Sequence, residues 1–159
     1  MAFLSGNLWG NVKLLIEQGA DVNAATWSGP PIQWYSGRGG FEQVDWLLEH
    51  GADVHVRTPG FASAPRDDAG KPLPQPNMPK DGHAWLLYDD DGKPVPVVRD
   101  TVIDDIYWHP GNQAAPQWQR KCQAWGKARG IPRPSMPDHL REMRRTFGLP
   151  YREGEIPSP

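Results

Sequence analysis

The sequence predicts a mainly α fold with a long proline-rich interruption. Three observations carry this expectation: an apolar helical pattern that occurs twice near the start, a crowding of proline in the middle, and two or three helical stretches at the end. The chain has 159 residues, with 18 Pro, 17 Gly, 8 Trp and 1 Cys. Only Pro30 and Pro31 precede Arg57, so the other 16 prolines fall in the last two-thirds. The net charge of −2 hides a division. Residues 1–56 carry −4, residues 57–105 carry −3 and residues 106–159 carry +5. Such asymmetry marks parts with different contact surfaces.

The first element is a repeat. Val12-Lys13-Leu14-Leu15-Ile16-Glu17-Gln18-Gly19-Ala20-Asp21-Val22-Asn23 aligns with Val44-Asp45-Trp46-Leu47-Leu48-Glu49-His50-Gly51-Ala52-Asp53-Val54-His55. Gly19 and Gly51 stand 32 residues apart. Val12, Leu15 and Ile16 fall on one helical face, as do Val44, Leu47 and Leu48, so both helices are amphipathic. Each glycine sits where a helix end needs positive φ. The same Ala-Asp-Val exit follows each.

This pattern resembles the ankyrin repeat, whose period is about 33 residues. In a second copy running from about Thr26 to Val56, Pro31-Ile32-Gln33 stands in the place of the family's Pro-Leu-His, and Gly39 matches its inter-helix glycine. Pro30 replaces the family's Thr, and Tyr35-Ser36 replaces a pair of Ala, so the copies are degenerate. The first copy is incomplete. The resemblance covers residues 1–56 and implies a protein-interaction module without chemistry of its own. It implies Trp27, Gln33, Trp34, Tyr35 and Arg38 as candidate interaction residues, with Trp85 and Trp108 added from the aromatic segments beyond it. Because one repeat cannot bury its own apolar face, something must cover the repeats: the rest of the chain or a partner.

Residues 57–82 read as an extended connector. Pro59, Pro65, Pro72, Pro74, Pro76 and Pro79 exclude helix and central strand, and polyproline II suits them. Such a stretch is expected to lie along another surface. Residues 83–111 read as a small β-hairpin and a short helix. Trp85-Leu86-Leu87-Tyr88 would form one strand and Val95-Pro96-Val97-Val98 the return, across Asp91-Gly92. The acids Asp89, Asp90 and Asp91 lack the alternation and the final Glu of a calcium loop. Asp100 or Thr101 would start the helix, with Val102, Ile103, Ile106 and Tyr107 as its apolar face, and His109-Pro110-Gly111 would end it.

Residues 112–159 read as a basic helical region with a tail. One helix begins near Pro116 and stops at Gly130, with Trp118, Cys122 and Trp125 as its apolar seam. Another runs from about Pro137 to Phe147, capped by Ser135, with Leu140, Met143 and Phe147 as its buried stripe. Residues 149–159 read as a tail. Arg129, Arg133, Arg141, Arg144 and Arg145 form a candidate basic patch suited to an acidic protein surface or RNA. Salt bridges within the chain are the plainer reading of that charge.

Candidate chemistry is sparse. Cys122 would need a nearby His and a depressed pKa to act as a nucleophile, and its tryptophan neighbours favour a core thiol. His109 with Asp104 and Asp105 matches no metal spacing, and a helix-terminal histidine interacting with the dipole is the plainer reading. His50 has the same reading, and His55, His83 and His139 stand apart. No phosphate-loop, dinucleotide, zinc-protease or serine-hydrolase motif occurs. No cofactor or metal is expected. The single cysteine suits a reducing, intracellular compartment. No apolar run approaches the roughly 18 residues that cross a membrane, and Met1 to Gly10 show no basic leader. The expected function is therefore non-catalytic: an accessory subunit held in a larger assembly by the repeat unit and the extended arm. The alternatives are a free-standing adaptor whose C-terminal helices cap the repeats and, less favoured, a small enzyme using Cys122 or His109.

Overall fold

The computed structural model describes residues 8–24, 29–59, 87–88, 94–95 and 98–159. The fold is mainly helical: α1 Leu8–Glu17, α2 Pro31–Ser36, α3 Phe41–Glu49, α4 Thr101–Trp108, α5 Pro116–Ala128 and α6 Asp138–Thr146, with a 3-10 turn at Glu153–Glu155. The chain forms two compact units, one of Met1–Val56 with Asp100–Pro159 and the other of Arg57–Arg99. The short helix expected to belong with the hairpin at 83–111 instead packs on α2 and α5 in the first unit.

In the second unit, β2 (Leu87–Tyr88) pairs antiparallel with β3 (Pro94–Val95), with Leu87 opposite Val95. β1 (Arg57–Pro59) neighbours β4 (Val98–Asp100). Two-stranded pairs have only edges, where Pro59 and Pro94 need not donate to a ladder. The turn at 89–93 and most of the proline-rich connector, residues 60–86, lie outside the described residues.

In the first unit the helices start and stop where local chemistry dictates. Pro31 opens α2 and Pro116 opens α5, at first-turn positions where a missing N–H costs nothing. α1 and α3 end in the same way. Gly19 N–H donates to Ile16 O at 2.9 Å and Ala20 N–H to Leu15 O at 2.9 Å; Gly51 N–H donates to Leu48 O at 3.2 Å and Ala52 N–H to Leu47 O at 3.0 Å. This closure needs a left-handed residue, and Gly19 and Gly51 have φ of 95° and 85°. The 32-residue repeat in sequence is thus a repeat in backbone geometry.

α4 lies at the centre. Every residue from Val102 to Trp108 is buried, including Asp104 and Asp105, as expected of a helix packed on several sides. It packs against α2, α5 and α6. Its last carbonyls are buried and need donors. Gln119 Nε2 reaches Ile106 O at 3.1 Å and His109 O at 2.9 Å, Gln123 Nε2 reaches Ile106 O at 3.0 Å, and Arg144 Nη1 reaches Trp108 O at 3.1 Å. α5 also packs on α3, so the chain's own C-terminal helices cover the second repeat copy. The apolar core spans both ends of the sequence, from Ile32, Val44 and Leu47 to Val102, Trp108, Cys122 and Leu140.

Several expectations are corrected. Leu15, on the apolar face of the first helix, is 51 % exposed, whereas its counterpart Leu47 is fully buried. The difference is α5, which packs on α3. Phe147, placed in the buried stripe of α6, is 68 % exposed, because the helix ends at Thr146 and Phe147 is already its C-cap. Ser135 does not cap α6; Pro137 stands at that position without a side-chain bond. Residues 149–159 are not a loose tail among these elements. Arg133 donates to Ile156 O at 3.0 Å, to Ser158 Oγ at 3.2 Å and to Glu153 O at 3.2 Å, and Glu153 Oε1 accepts from Met136 N–H at 2.7 Å. Ile156 packs against the core.

Candidate functional site

The repeat unit offers the most regular polar geometry. Asp21 Oδ1 accepts from Asn23 N–H at 2.9 Å, and Asp53 Oδ1 accepts from His55 N–H at 2.9 Å, so the same turn closes both exits. Asn23 then joins the two. Its Nδ2 donates to Gly51 O at 3.3 Å, and its Oδ1 accepts from Asp53 N–H at 2.7 Å. A planar amide carries donor and acceptor side by side, which matches the C=O of Gly51 and the N–H of Asp53 on either side of Ala52.

An aromatic chain joins α1 to the rest. Trp9 meets Tyr35 edge-on at 5.2 Å and Trp46 at 5.4 Å, and Trp34 meets Tyr35 at 4.9 Å. Lys13 lies over Trp46 at 5.4 Å, and His50 stacks on the same indole at 3.5 Å. His50 Nδ1 is 2.7 Å from Trp46 O, so that nitrogen carries the proton. α1 itself contains no buried residue, although six of its ten residues are apolar. Leu14 and Leu15 are both more than half exposed.

The sequence-derived interaction candidates scatter. Trp27 and Trp85 lie outside the described residues. Gln33 is partly buried and donates to Thr101 Oγ1 at 3.3 Å, tying α2 to α4. Trp34 is partly buried beneath the Arg38 guanidinium, which lies 3.8 Å from its ring, and Arg38 Nη1 also donates to Trp34 O. Tyr35 is buried, and burial raises its phenol pKa. Trp108 is fully buried with Nε1 donating to Pro134 O at 2.9 Å, so its ring is in the core and not on a surface.

The five candidate arginines are drawn into the chain. Arg129 covers Trp125 at 3.9 Å, and Arg133 covers Trp108 at 4.0 Å. Arg141 pairs with Asp138 at 2.8 Å and approaches Glu153 at 3.8 Å. Arg144 Nε reaches Pro150 O at 2.6 Å, and Arg145 lies 3.9 Å from Glu142. These contacts are the plainer reading of the charge.

Between α2 and α4 sits a buried polar cluster. Ser36 Oγ donates to Asp105 Oδ2 at 2.8 Å. Burial pushes the Asp105 carboxyl up to about 7, with Asp104 adding in the same sense against the Ser36 hydrogen bond. His109 Nδ1 accepts from Gly111 N–H at 2.9 Å, so its proton is on Nε2, which faces the Gly37 carbonyl. Burial lowers its pKa, and Arg144 acts in the same direction. With Nδ1 accepting a hydrogen bond the ring is a neutral imidazole, and its Cε1 edge lies close to Gly39. No group of metal-binding side chains occurs among the described residues.

Cys122 is fully buried with Sγ 3.5 Å from Phe41 O. Burial pushes its thiol up to about 12, Asp45 adding to the effect. A nucleophilic thiol needs the opposite shift. A hollow beside Phe41, Glu42, Asn112 and Trp118 holds about 180 Å³, short of the roughly 300 Å³ at which ligand pockets begin. No helix among the described residues is long and apolar enough to cross a membrane.

Ser36 and Asp105 escaped the sequence reading as a pair. They stand 69 positions apart, and no local pattern links them. No family model matches the chain, and neither the curated proteins nor the solved structures contain a significant match.

Proposed function

We propose that the chain is a non-catalytic protein–protein interaction protein of ankyrin-repeat type, an accessory subunit that docks on a larger assembly through the α1 side of its repeat unit. The observation that supports this reading is the contrast between Leu15, half exposed, and its repeat counterpart Leu47, fully buried. The second copy has a cover and the first has none among the described residues. The proline-rich arm, the hairpin at its end and an intracellular setting belong to the same proposal. In it, the basic helices serve the chain's own packing before any acidic protein or RNA.

The packing of α4 and α5 on α2 and α3 favours a second reading, a free-standing adaptor capped by its own helices. Two measurements decide. The full chain carrying Leu14→Glu and Leu15→Glu should keep its melting temperature and leave the high-mass fraction of a native extract. If the tagged wild-type chain runs as a monomer in that extract and melts cooperatively alone, the accessory reading fails and the adaptor reading stands.

A further inference from the structure

We propose that the α1 edge docks a helix–turn repeat carried by a partner chain, one that presents an asparagine two residues beyond the aspartate of its own exit turn. This rests on the reading of the chain as an interaction protein and names the class of partner.

The template is internal. The first exit docks on the second through Asn23, whose amide engages Gly51 O and Asp53 N–H. Their counterparts one repeat earlier are Gly19 O and Asp21 N–H. The two turns are alike, with positive φ at both glycines and the same aspartate-to-backbone bond at 2.9 Å. Among the described residues no hydrogen bond reaches Gly19 O or Asp21 N–H, and both residues are exposed. A partner's asparagine would meet these groups with the geometry that Asn23 already uses.

The apolar part of the edge agrees. Leu14 and Leu15, 56 % and 51 % exposed, lie one to two turns before this exit on a helix with nothing buried. Glu17 and Asp21 are exposed beside them, while Lys13 is engaged over Trp9 and Trp46. The edge is therefore apolar with an acidic border, and the partner repeat should carry Lys or Arg opposite it. A second copy of this chain stacked head to tail does not fit. His55 stands at the Asn23 position of its second exit, and the donor and acceptor nitrogens of an imidazole diverge, whereas the donor nitrogen and acceptor oxygen of an amide lie side by side.

The test uses the full chain with Leu14→Cys. Cys122 is buried with a thiol raised to about 12, so residue 14 takes a thiol-reactive, environment-sensitive fluorophore alone. The probe is a designed helical-repeat protein whose last helix and exit turn copy residues 8–24, with either asparagine or alanine at the copied Asn23 position. A saturable blue shift with the asparagine probe is expected, about tenfold weaker with the alanine probe and lost with Leu15→Glu in the labelled chain. Equal affinity for the two probes, or no saturable shift, overturns the proposal. If the probe fails while Leu14→Glu with Leu15→Glu still releases the chain from its native complex, only the partner class falls. If that release also fails, the accessory reading falls with it.

Discussion

Ser36 Oγ donates a 2.8 Å hydrogen bond to Asp105 Oδ2 across the contact of α2 and α4, and both residues are buried. The bond ties the repeat unit to the C-terminal half through a carboxyl whose pKa burial raises to about 7.

That shift makes stability depend on pH. The folded chain holds the Asp105 proton more tightly than the unfolded chain, whose carboxyl titrates near 3.8. The contribution is therefore full below pH 4, is lost as pH rises towards 7, and is flat above. His109 works in the opposite sense: its lowered pKa removes stability as pH falls below about 6.5. Asp105→Asn should abolish the loss between pH 5 and 8 and stabilise the chain at pH 8 by up to about 4 kcal/mol. Urea denaturation at pH 5, 6.5 and 8 measures it; an unchanged slope in the variant would refute it.

Gly39 has a φ of 71°, and a Cβ there would lie 2.8 Å from His109 Cε1. Gly39→Ala should cost about 2–4 kcal/mol, from left-handed strain and from displacement of the ring. Removing the ring with His109→Ala should recover only the steric share. A double-mutant cycle showing no coupling would mean that the ring does not hold this turn.

Asn23→Ala removes both bonds between the repeat exits and should cost about 1–2 kcal/mol. The loss should be local. Hydrogen exchange should accelerate in α1, Leu8–Glu17, and stay slow in α3 and α5. Uniform acceleration would show that the exits do not act as a separate joint.

Cys122 should resist thiol reagents at pH 8 and react in proportion to global unfolding, since the thiol is fully buried and raised to about 12. Cys122→Ala should cost about 1–3 kcal/mol through lost packing. Fast labelling of the native chain at pH 8 would contradict the buried position.

Arg133→Ala should free the last ten residues. The guanidinium lies 4.0 Å over Trp108 and bonds Glu153 O, Ile156 O and Ser158 Oγ. Limited proteolysis should then cut after residue 149 at least several-fold faster, with the helical core intact. Unchanged cleavage would place the hold on the tail elsewhere.

The sequence by itself determined the helices, their stops and their repetition. Glycines at 19 and 51, prolines at 31 and 116 and an apolar period near 3.6 act within a few residues of themselves, so they are legible in one dimension. The seam of Trp118, Cys122 and Trp125 was legible for the same reason, and Cys122 is its buried centre. Only the tertiary structure decided what those faces meet. Leu15 and Leu47 carry the same local pattern, yet one is half exposed and the other sealed because α5, far along the chain, packs on α3. Asp104 and Asp105, weighed in the sequence only as partners of His109, are buried in the central helix, where Asp105 pairs with Ser36. The arginines of the candidate basic patch meet carbonyls, acids and indoles of their own chain. Conformation follows from neighbours in sequence, whereas burial and pairing follow from neighbours in space, here as many as 81 positions away between Phe41 and Cys122.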